Sequence, residues 1–212
     1  MSFRVTEIFY TLQGEGFHAG RAAVFCRFSG CNLWTGREED REQATCKFCD
    51  TNFVQPAESG GTFASASELV SSIMNTFPDI QHAKYTPYVV FTGGEPALQV
   101  TPELISLLKE QQVEIGIETN GTLPLPEGLD WITVSPKAGT QLAVTSGHEL
   151  KLVWPQENVI LSDFQALDFE HFYIQPKDGQ KRSTSTQLAV KICRENPVWK
   201  LSLQTHKYIG IP

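Results

Sequence analysis

No run of eighteen apolar residues occurs in the 212-residue chain, so no membrane-spanning helix is expected. The opening stretch, MSFRVTEIFYTLQGEG, lacks the apolar centre of a secretory leader, and a cytoplasmic location is expected by default. Positive charge is in short supply: 17 Lys and Arg stand against 24 Asp and Glu, a net charge of −7. That balance argues against direct nucleic-acid binding, while a small anionic substrate stays compatible because a local field can oppose the global one. Cysteines number five, an odd count that argues against a complete disulfide framework. Clustered cysteines in such a chain more often bind metal or carry redox chemistry. Internal repeats and low-complexity tracts are lacking too. What is present is ordinary for one soluble domain over residues 1–212: 41% hydrophobic, 19% charged, and enough length to bury a core.

Short apolar, β-branched runs fall at 22–30, 88–96, 113–121, 131–137, 149–154, 172–179 and 201–206, each turning polar or to Gly/Pro at its end. Helical patterns lie between some of them. Segment 65–77 spaces Leu69, Ile73 and Phe77 four apart behind Ser65 or Ser67 as cap; 101–112 has Thr101 as cap and Pro102 in its first turn; 184–196 is a third. Segment 55–65 reads as a flexible connector, and 122–130 and 155–171 are too short for full helices. This alternation favours a parallel α/β sheet, doubly wound or barrel-like. Polar residues collect at the ends of successive strands, at Thr92, Glu118, Asn120, Ser135, Lys137, Gln175 and His206. That is the rim where barrel enzymes build their sites. Six or seven strands with few helices favour a partial, incomplete TIM-like β/α barrel.

Three of the cysteines fall in CNLWTGREEDREQATCKFCD, residues 31–50, with fourteen residues between Cys31 and Cys46 and two between Cys46 and Cys49. A closed zinc site wants a fourth ligand, and this stretch offers none; His18 and Cys26 are candidates from outside it. An iron–sulfur cluster reads the shortage differently. Three thiolates on a four-iron cluster leave one iron open to bind a substrate. A structural zinc loop and unrelated buried thiols stand as the plainer alternatives. At FTGGEP (91–96) two glycines let a bound molecule approach the backbone, and Glu95 can accept from an ammonium. A tight turn explains the glycines equally well, but not their company with the cysteine loop.

A cysteine loop after one strand and GGEP after the next resemble the radical S-adenosylmethionine (SAM) superfamily. With FYTLQGEG (9–16), CRFSGCNLW (26–34), CDTNF (49–53), ETNGT (118–122), SPK (135–137), IQPKDG (174–179) and QTHKYIGIP (204–212) in that order, the chain resembles the 7-carboxy-7-deazaguanine synthase family within it. The resemblance covers essentially the whole length. It implies a [4Fe-4S] cluster on Cys31, Cys46 and Cys49 whose open iron chelates SAM, a 5′-deoxyadenosyl radical made by reductive cleavage, and Mg²⁺. It implies a lyase that converts 6-carboxy-5,6,7,8-tetrahydropterin to 7-carboxy-7-deazaguanine with ring contraction and loss of ammonia, using SAM catalytically, on the route to deazapurines such as queuosine. The partners implied are the pterin, an electron donor such as flavodoxin and a second copy of the chain in a homodimer, with neither nucleic acid nor membrane. The loop departs from the common superfamily spacing of three and two residues. TGREEDREQA (35–44) is therefore an insertion, read as a solvated excursion or as a contact for a protein partner.

Roles follow residue by residue. Alternation along 22–28 puts Val24 and Cys26 toward helices and Phe25 and Arg27 toward the interior. A buried Arg there needs an anion, either the substrate carboxylate or an internal salt bridge. Gln13 and Glu15, flanked by Leu12 and Gly14, offer an amide and a carboxylate to an aminopyrimidine edge; an N-terminal turn is the alternative. Phe17 either stacks on the ring or packs. Thr92 ends a strand facing the site. The family match makes His206, pointing in from the last strand, a site residue, with a satisfied core histidine as the alternative; the matching GIP ending implies that Pro212 folds its terminal carboxylate back to the substrate, where most chain ends fray. For SAM, Phe48 sets its backbone against adenine, Cys49 and Asp50 continue that stretch, and Gly94 approaches closely. Glu95 stands with Ser135, Lys137 and Gln175, which resemble SAM-contacting positions of the family; Lys137 could equally neutralise a carboxylate, and Glu118 either meets the ribose or supports the rim. Thr51 offers a hydroxyl to Mg²⁺, which takes few protein ligands and keeps waters; Asp50 alternatively caps a helix. Two further functions stay open: an activator that makes a glycyl radical on a protein partner, and a non-catalytic zinc module.

Overall fold

Two-residue alternation sets the layering of the molecule. In the computed structural model, which describes residues 1–80, 82 and 84–212, strand β2 (Ala22–Phe28) sends Val24, Cys26 and Phe28 into one apolar cluster and Ala23 and Phe25 into another on the opposite face. The same period places Val89 and Phe91 of β4 (Tyr88–Gly93) with the first set and Val90 with the second. The first set is the outer core. It meets α1 (Ala66–Thr76) through Leu69 and Ile73, and α2 (Pro102–Glu110) through Leu104 and Leu108. Both helices start where the sequence places them. Ser65 Oγ accepts from Glu68 N (3.2 Å), Thr101 Oγ1 accepts from Leu104 N (3.2 Å), and Pro102 stands in the first turn.

The sheet has nine strands in the order β3-β1-β2-β4-β5-β6-β7-β8-β9. Strand β1 (Phe3–Leu12) pairs antiparallel with β2 and with β3 (Gly61–Phe63). From β2 onward every pair is parallel, through β5 (Glu114–Thr119), β6 (Trp131–Val134), β7 (Ser146–Trp154), β8 (Asp168–Pro176) and β9 (Trp199–Leu201). A second outer core joins Leu150, Leu152 and Ile174 to Ala189 of α4 (Arg182–Glu195). Residues from β1, β2 and β4 through β8 line one cavity, so the sheet curls around it. Its edges, β3 and β9, do not pair with each other among the described residues. This is the expected incomplete barrel.

Four details differ from the sequence reading, the first being that segment 55–65, read as a flexible connector, contains strand β3. Phe3–Leu12 is a strand, with a bulge between Val5 and Glu7 that breaks the simple alternation a pattern search needs. The last strand is short: 201–206 is mostly not strand, and His206 belongs to α5 (Thr205–Ile209), which ends at Gly210 with φ +71°. The link 155–171 holds a five-residue helix, α3 (Leu161–Gln165).

Candidate active site

A basin of about 370 Å³ opens inside the curl of the sheet, lined by the inward residues of seven strands and by the cysteine loop. Its floor is a buried charge network. Lys151 of β7 points inward because Leu150 and Leu152 take the outer face. Its ammonium donates to Glu15 Oε2 (2.6 Å) and reaches Glu118 Oε1 (3.4 Å). Glu118 also accepts from Gln13 Nε2 (3.0 Å) and from Thr92 Oγ1 (3.2 Å), and Glu15 accepts from Gln204 Nε2 (2.9 Å). Burial alone would raise the Glu15 carboxyl, but Lys151, helped by Gln204 and Gln175, lowers it to about 2. Burial likewise opposes the charge on Lys151, and Glu118, Glu15 and Glu149 together outweigh it and raise its pKa. Below this layer Glu149 is raised by burial and accepts from Phe17 N (2.7 Å).

One wall carries Arg27, whose Nε donates to Glu7 Oε1 (2.6 Å). An internal salt bridge is thus present, and it occupies one nitrogen of the guanidinium. The cysteine loop brings in the thiols. Cys31, Cys46 and Cys49 all line the basin, with Phe48, Asp50 and Thr51. Burial raises the Cys31 and Cys49 thiols. Lys137 faces them: burial lowers its pKa, against the pull of Cys46 and Cys49. Its ammonium donates to Ser135 O (2.6 Å) and Ser135 Oγ (2.9 Å). At the mouth, Lys207 of α5 bridges Asp50 and Asp178 (2.6 Å each). The end of the chain closes over the basin: Thr205 N donates to Gly14 O (2.9 Å), and Pro212 O accepts from Thr11 Oγ1 (3.1 Å).

The structure therefore brings together Leu12, Gln13, Gly14, Glu15, Arg27 and Thr92 with His206 and Pro212, and sets Gly94, Glu118, Ser135, Lys137 and Gln175 around the same space. Two expected residues lie elsewhere. Phe17 turns away after Gly16 (φ +64°) and stacks on His171 (4.4 Å) and Trp131 (5.0 Å), so it packs rather than facing a ligand. Glu95 is fully buried outside the lining. Its carboxylate accepts from Thr119 Oγ1 (2.7 Å), Asn120 N (2.8 Å) and Ala97 N (2.9 Å), tying the end of β4 to the end of β5 instead of offering itself to an ammonium. The glycine pair has a structural cause as well. A Cβ on Gly94 would stand 2.0 Å from Gly30 O and 3.0 Å from the Cys31 Cβ, so the glycine is what lets the cysteine loop lie against β4. Asp50 caps no helix; it pairs with Lys207. His206 enters from α5, its ring filling the space beside Gly14.

Lys151, Gln204 and Lys207 were not anticipated from the sequence. For Lys151 a signal existed: Glu149 and Lys151 alternate with Leu150 and Leu152, and a strand with charge on its inner face marks a site. Gln204 and Lys207 carry no local signal, since only the docking of the chain end makes them neighbours of Glu15 and Asp50.

The thiols also settle what kind of metal they suit. Among the described residues no group of three or more His, Cys, Asp or Glu is gathered for a single ion. Three soft thiols lining one basin fit a cluster, with one thiol to each of three irons, better than a tetrahedral zinc. Burial disfavours the thiolates of Cys31 and Cys49, a cost that a cationic centre would offset.

Comparison with known proteins agrees. The family model described as the radical SAM superfamily matches residues 43–151. A 7-carboxy-7-deazaguanine synthase of Nitratidesulfovibrio vulgaris is 56% identical over the full length of both chains. Those of Burkholderia multivorans and Bacteroides thetaiotaomicron are 54% and 40% identical, again over the full length of both chains. Among solved structures, QueE from Escherichia coli superposes with a TM-score of 0.71 at 26% identity, covering 97% of this chain and 95% of that one.

Proposed function

Because this chain belongs to the 7-carboxy-7-deazaguanine synthase family of the radical SAM superfamily, we infer that its basin binds a carboxylated tetrahydropterin beside SAM and a [4Fe-4S] cluster, and that it works as the lyase its relatives are named for. The product is 7-carboxy-7-deazaguanine, formed from 6-carboxy-5,6,7,8-tetrahydropterin with ring contraction and loss of ammonia, on the route to deazapurines such as queuosine. One observation carries the reading: the three thiols share a single enclosed basin with a floor of amide, carboxylate and buried ammonium. The volume, about 370 Å³, lies in the range of small-molecule sites. With the chain end folded over it, that volume favours a small molecule over a protein loop, the substrate a glycyl-radical activator would need.

When bound, the cluster and SAM would supply radical chemistry for hydrogen abstraction. The chain's own residues hold and orient. Cys31, Cys46 and Cys49 would hold the cluster. The backbone at Phe48, Asp50 and Gly94, with Ser135, Lys137 and Gln175, lines the SAM side. Gln13, Glu15 and Glu118 present fixed acceptors and donors to the aminopyrimidine edge, while Lys151 keeps Glu15 ionised. Arg27 turns from Glu7 to take the substrate carboxylate, a charge-assisted pairing available to its remaining nitrogens. Thr51 would offer its hydroxyl to Mg²⁺. His206 and the Pro212 terminus close the site against water. We extend the reading to a cytoplasmic homodimer reduced by an electron donor such as flavodoxin.

The test is anaerobic turnover. The chain is reconstituted with iron and sulfide and given SAM, Mg²⁺, dithionite and the carboxytetrahydropterin, and products are followed by mass. The expected result is 7-carboxy-7-deazaguanine. Formation of 5′-deoxyadenosine without it would overturn the substrate assignment, and a colourless protein holding one zinc would overturn the cluster.

A further inference from the structure

The insertion at 35–44 is folded, not merely solvated. Leu33 O accepts from Thr45 N (3.1 Å) and from Cys46 N (3.3 Å), which closes the neck, so the chain re-enters the cysteine loop where it left. Fourteen intervening residues thereby cost the cluster loop little of its geometry. At the neck the buried Trp34 meets Phe53 edge-on (5.6 Å) and donates from Nε1 to Arg37 O (3.1 Å). Arg41, on the 3-10 turn Glu38–Gln43, lies 4.0 Å over the Trp34 ring. Its Nε and Nη2 donate to the Glu38 carboxylate (2.7 and 2.5 Å), and its Nη1 donates to Lys47 O (3.0 Å) and Cys49 O (3.2 Å). All three nitrogens are thus engaged, and the side chain is 26% exposed. The neighbouring Arg37 is 70% exposed, 3.8 Å from an equally exposed Glu39.

We propose that Arg41 is a positioning residue for the iron–sulfur cluster: it clamps the carbonyls of Lys47 and Cys49, fixing the stretch that carries Cys46 and Cys49, and sets a cation beside the cluster. The inference rests on the cluster reading above. Only a planar guanidinium can stack on Trp34, hold a carboxylate by two nitrogens and reach two carbonyls with the third. A fixed positive charge also favours the form of the cluster that has gained an electron. Arg41 thereby both retains the cluster and eases its reduction.

The experiment uses the full chain, reconstituted anaerobically, with Arg41→Gln, Arg41→Lys and, as the exposed control, Arg37→Gln. Three quantities are read: iron released to a chelator over time, the cluster midpoint potential followed by EPR, and melting of the cluster-free chain. Arg41→Gln is expected to lose iron about tenfold faster, the worth of one charge-assisted hydrogen bond, and to have a more negative midpoint. Arg41→Lys should also lose iron faster but return the midpoint toward the parent's, because the charge is kept and the clamp is not. Arg37→Gln should match the parent in both. Parent-like behaviour of Arg41→Gln in either measurement overturns the proposal, as does an equal midpoint shift in Arg37→Gln. A fall in melting temperature of the cluster-free Arg41→Gln chain that accounts for its iron loss also overturns it. A parent that takes up no cluster fells this proposal and the functional reading together, whereas a loaded parent with an unaffected Arg41→Gln fells this one alone.

Discussion

Lys151→Met removes the one ammonium that stands between Glu15 and Glu118 on the basin floor. The lysine side chain is 5% exposed and the two carboxylates 15% and 21%, so water replaces it poorly. Breaking a buried ion pair from one side costs about 3–5 kcal/mol, because the remaining charges are left uncompensated. The lowered pKa of Glu15 reflects the same pairing. Its carboxyl sits at about 2 against an ordinary 4.5, a gap worth about 3 kcal/mol. A group lowered in this way contributes stability that is present above pH 4.5 and lost as pH falls through about 2. Lys151 itself is raised, so its contribution is present below its ordinary 10.5 and stays constant across that acid window. In the variant the carboxylates take up protons instead. The deficit against the parent should therefore be about 3 kcal/mol or more at pH 7, a fall of about 10 °C in melting temperature for a chain of this length, and should shrink as the pH is lowered through 4.5. Denaturant unfolding of the cluster-free chain under reducing conditions, at pH 7 and stepwise to pH 4, measures both. A deficit below about 1 kcal/mol, or one that does not change with pH, would refute the reasoning.

Other outcomes are expected. Arg27→Ala should keep SAM cleavage to 5′-deoxyadenosine and lose the deazaguanine product, read from the same reaction by mass; unchanged product formation would remove Arg27 from substrate binding. Gly94→Ala places a Cβ 2.0 Å from Gly30 O, and should push the cysteine loop off β4, with a loss of about 1–3 kcal/mol and of the brown cluster absorbance. Normal cluster uptake by that variant would mean the loop yields without strain. Gly14→Ala directs a Cβ to within 2.0 Å of His206 Nδ1. It should loosen the C-terminal segment and speed its proteolysis, and adding His206→Ala should restore protection. A double variant as labile as Gly14→Ala alone would contradict the packing described.

Much of this was legible before any coordinates. Period-two apolar runs marked β2, β4, β5, β6, β7 and β8, and caps at Ser65 and Thr101 marked two helices, because both signals are local in the chain. The thiols, the glycine pair and the strand-end polar residues converged because strand ends in a curled parallel sheet point into one space. Phe17 and Glu95 lie outside the basin lining for a common reason. A residue type states what a side chain can bind, but whether a partner inside the protein has already taken it depends on the fold. Glu95 was taken by Thr119 and Asn120, and Phe17 by His171 and Trp131.

The sequence by itself determined the layering, the order of the strands' polar ends and the presence of three soft ligands around one loop, since all of these follow from spacing along the chain. Only the tertiary structure decided that Lys151 neutralises Glu15 and Glu118, that Gln204 and Lys207 reach back to the basin, and that Arg41 clamps the cysteine loop. The first two sets join residues more than thirty positions apart. The third joins close neighbours, yet a charged run looks the same in sequence whether its arginine faces water or two carbonyls. These are long-range or orientational facts, and the energy that selects them comes from burial and pairing that exist only once the sheet has curled.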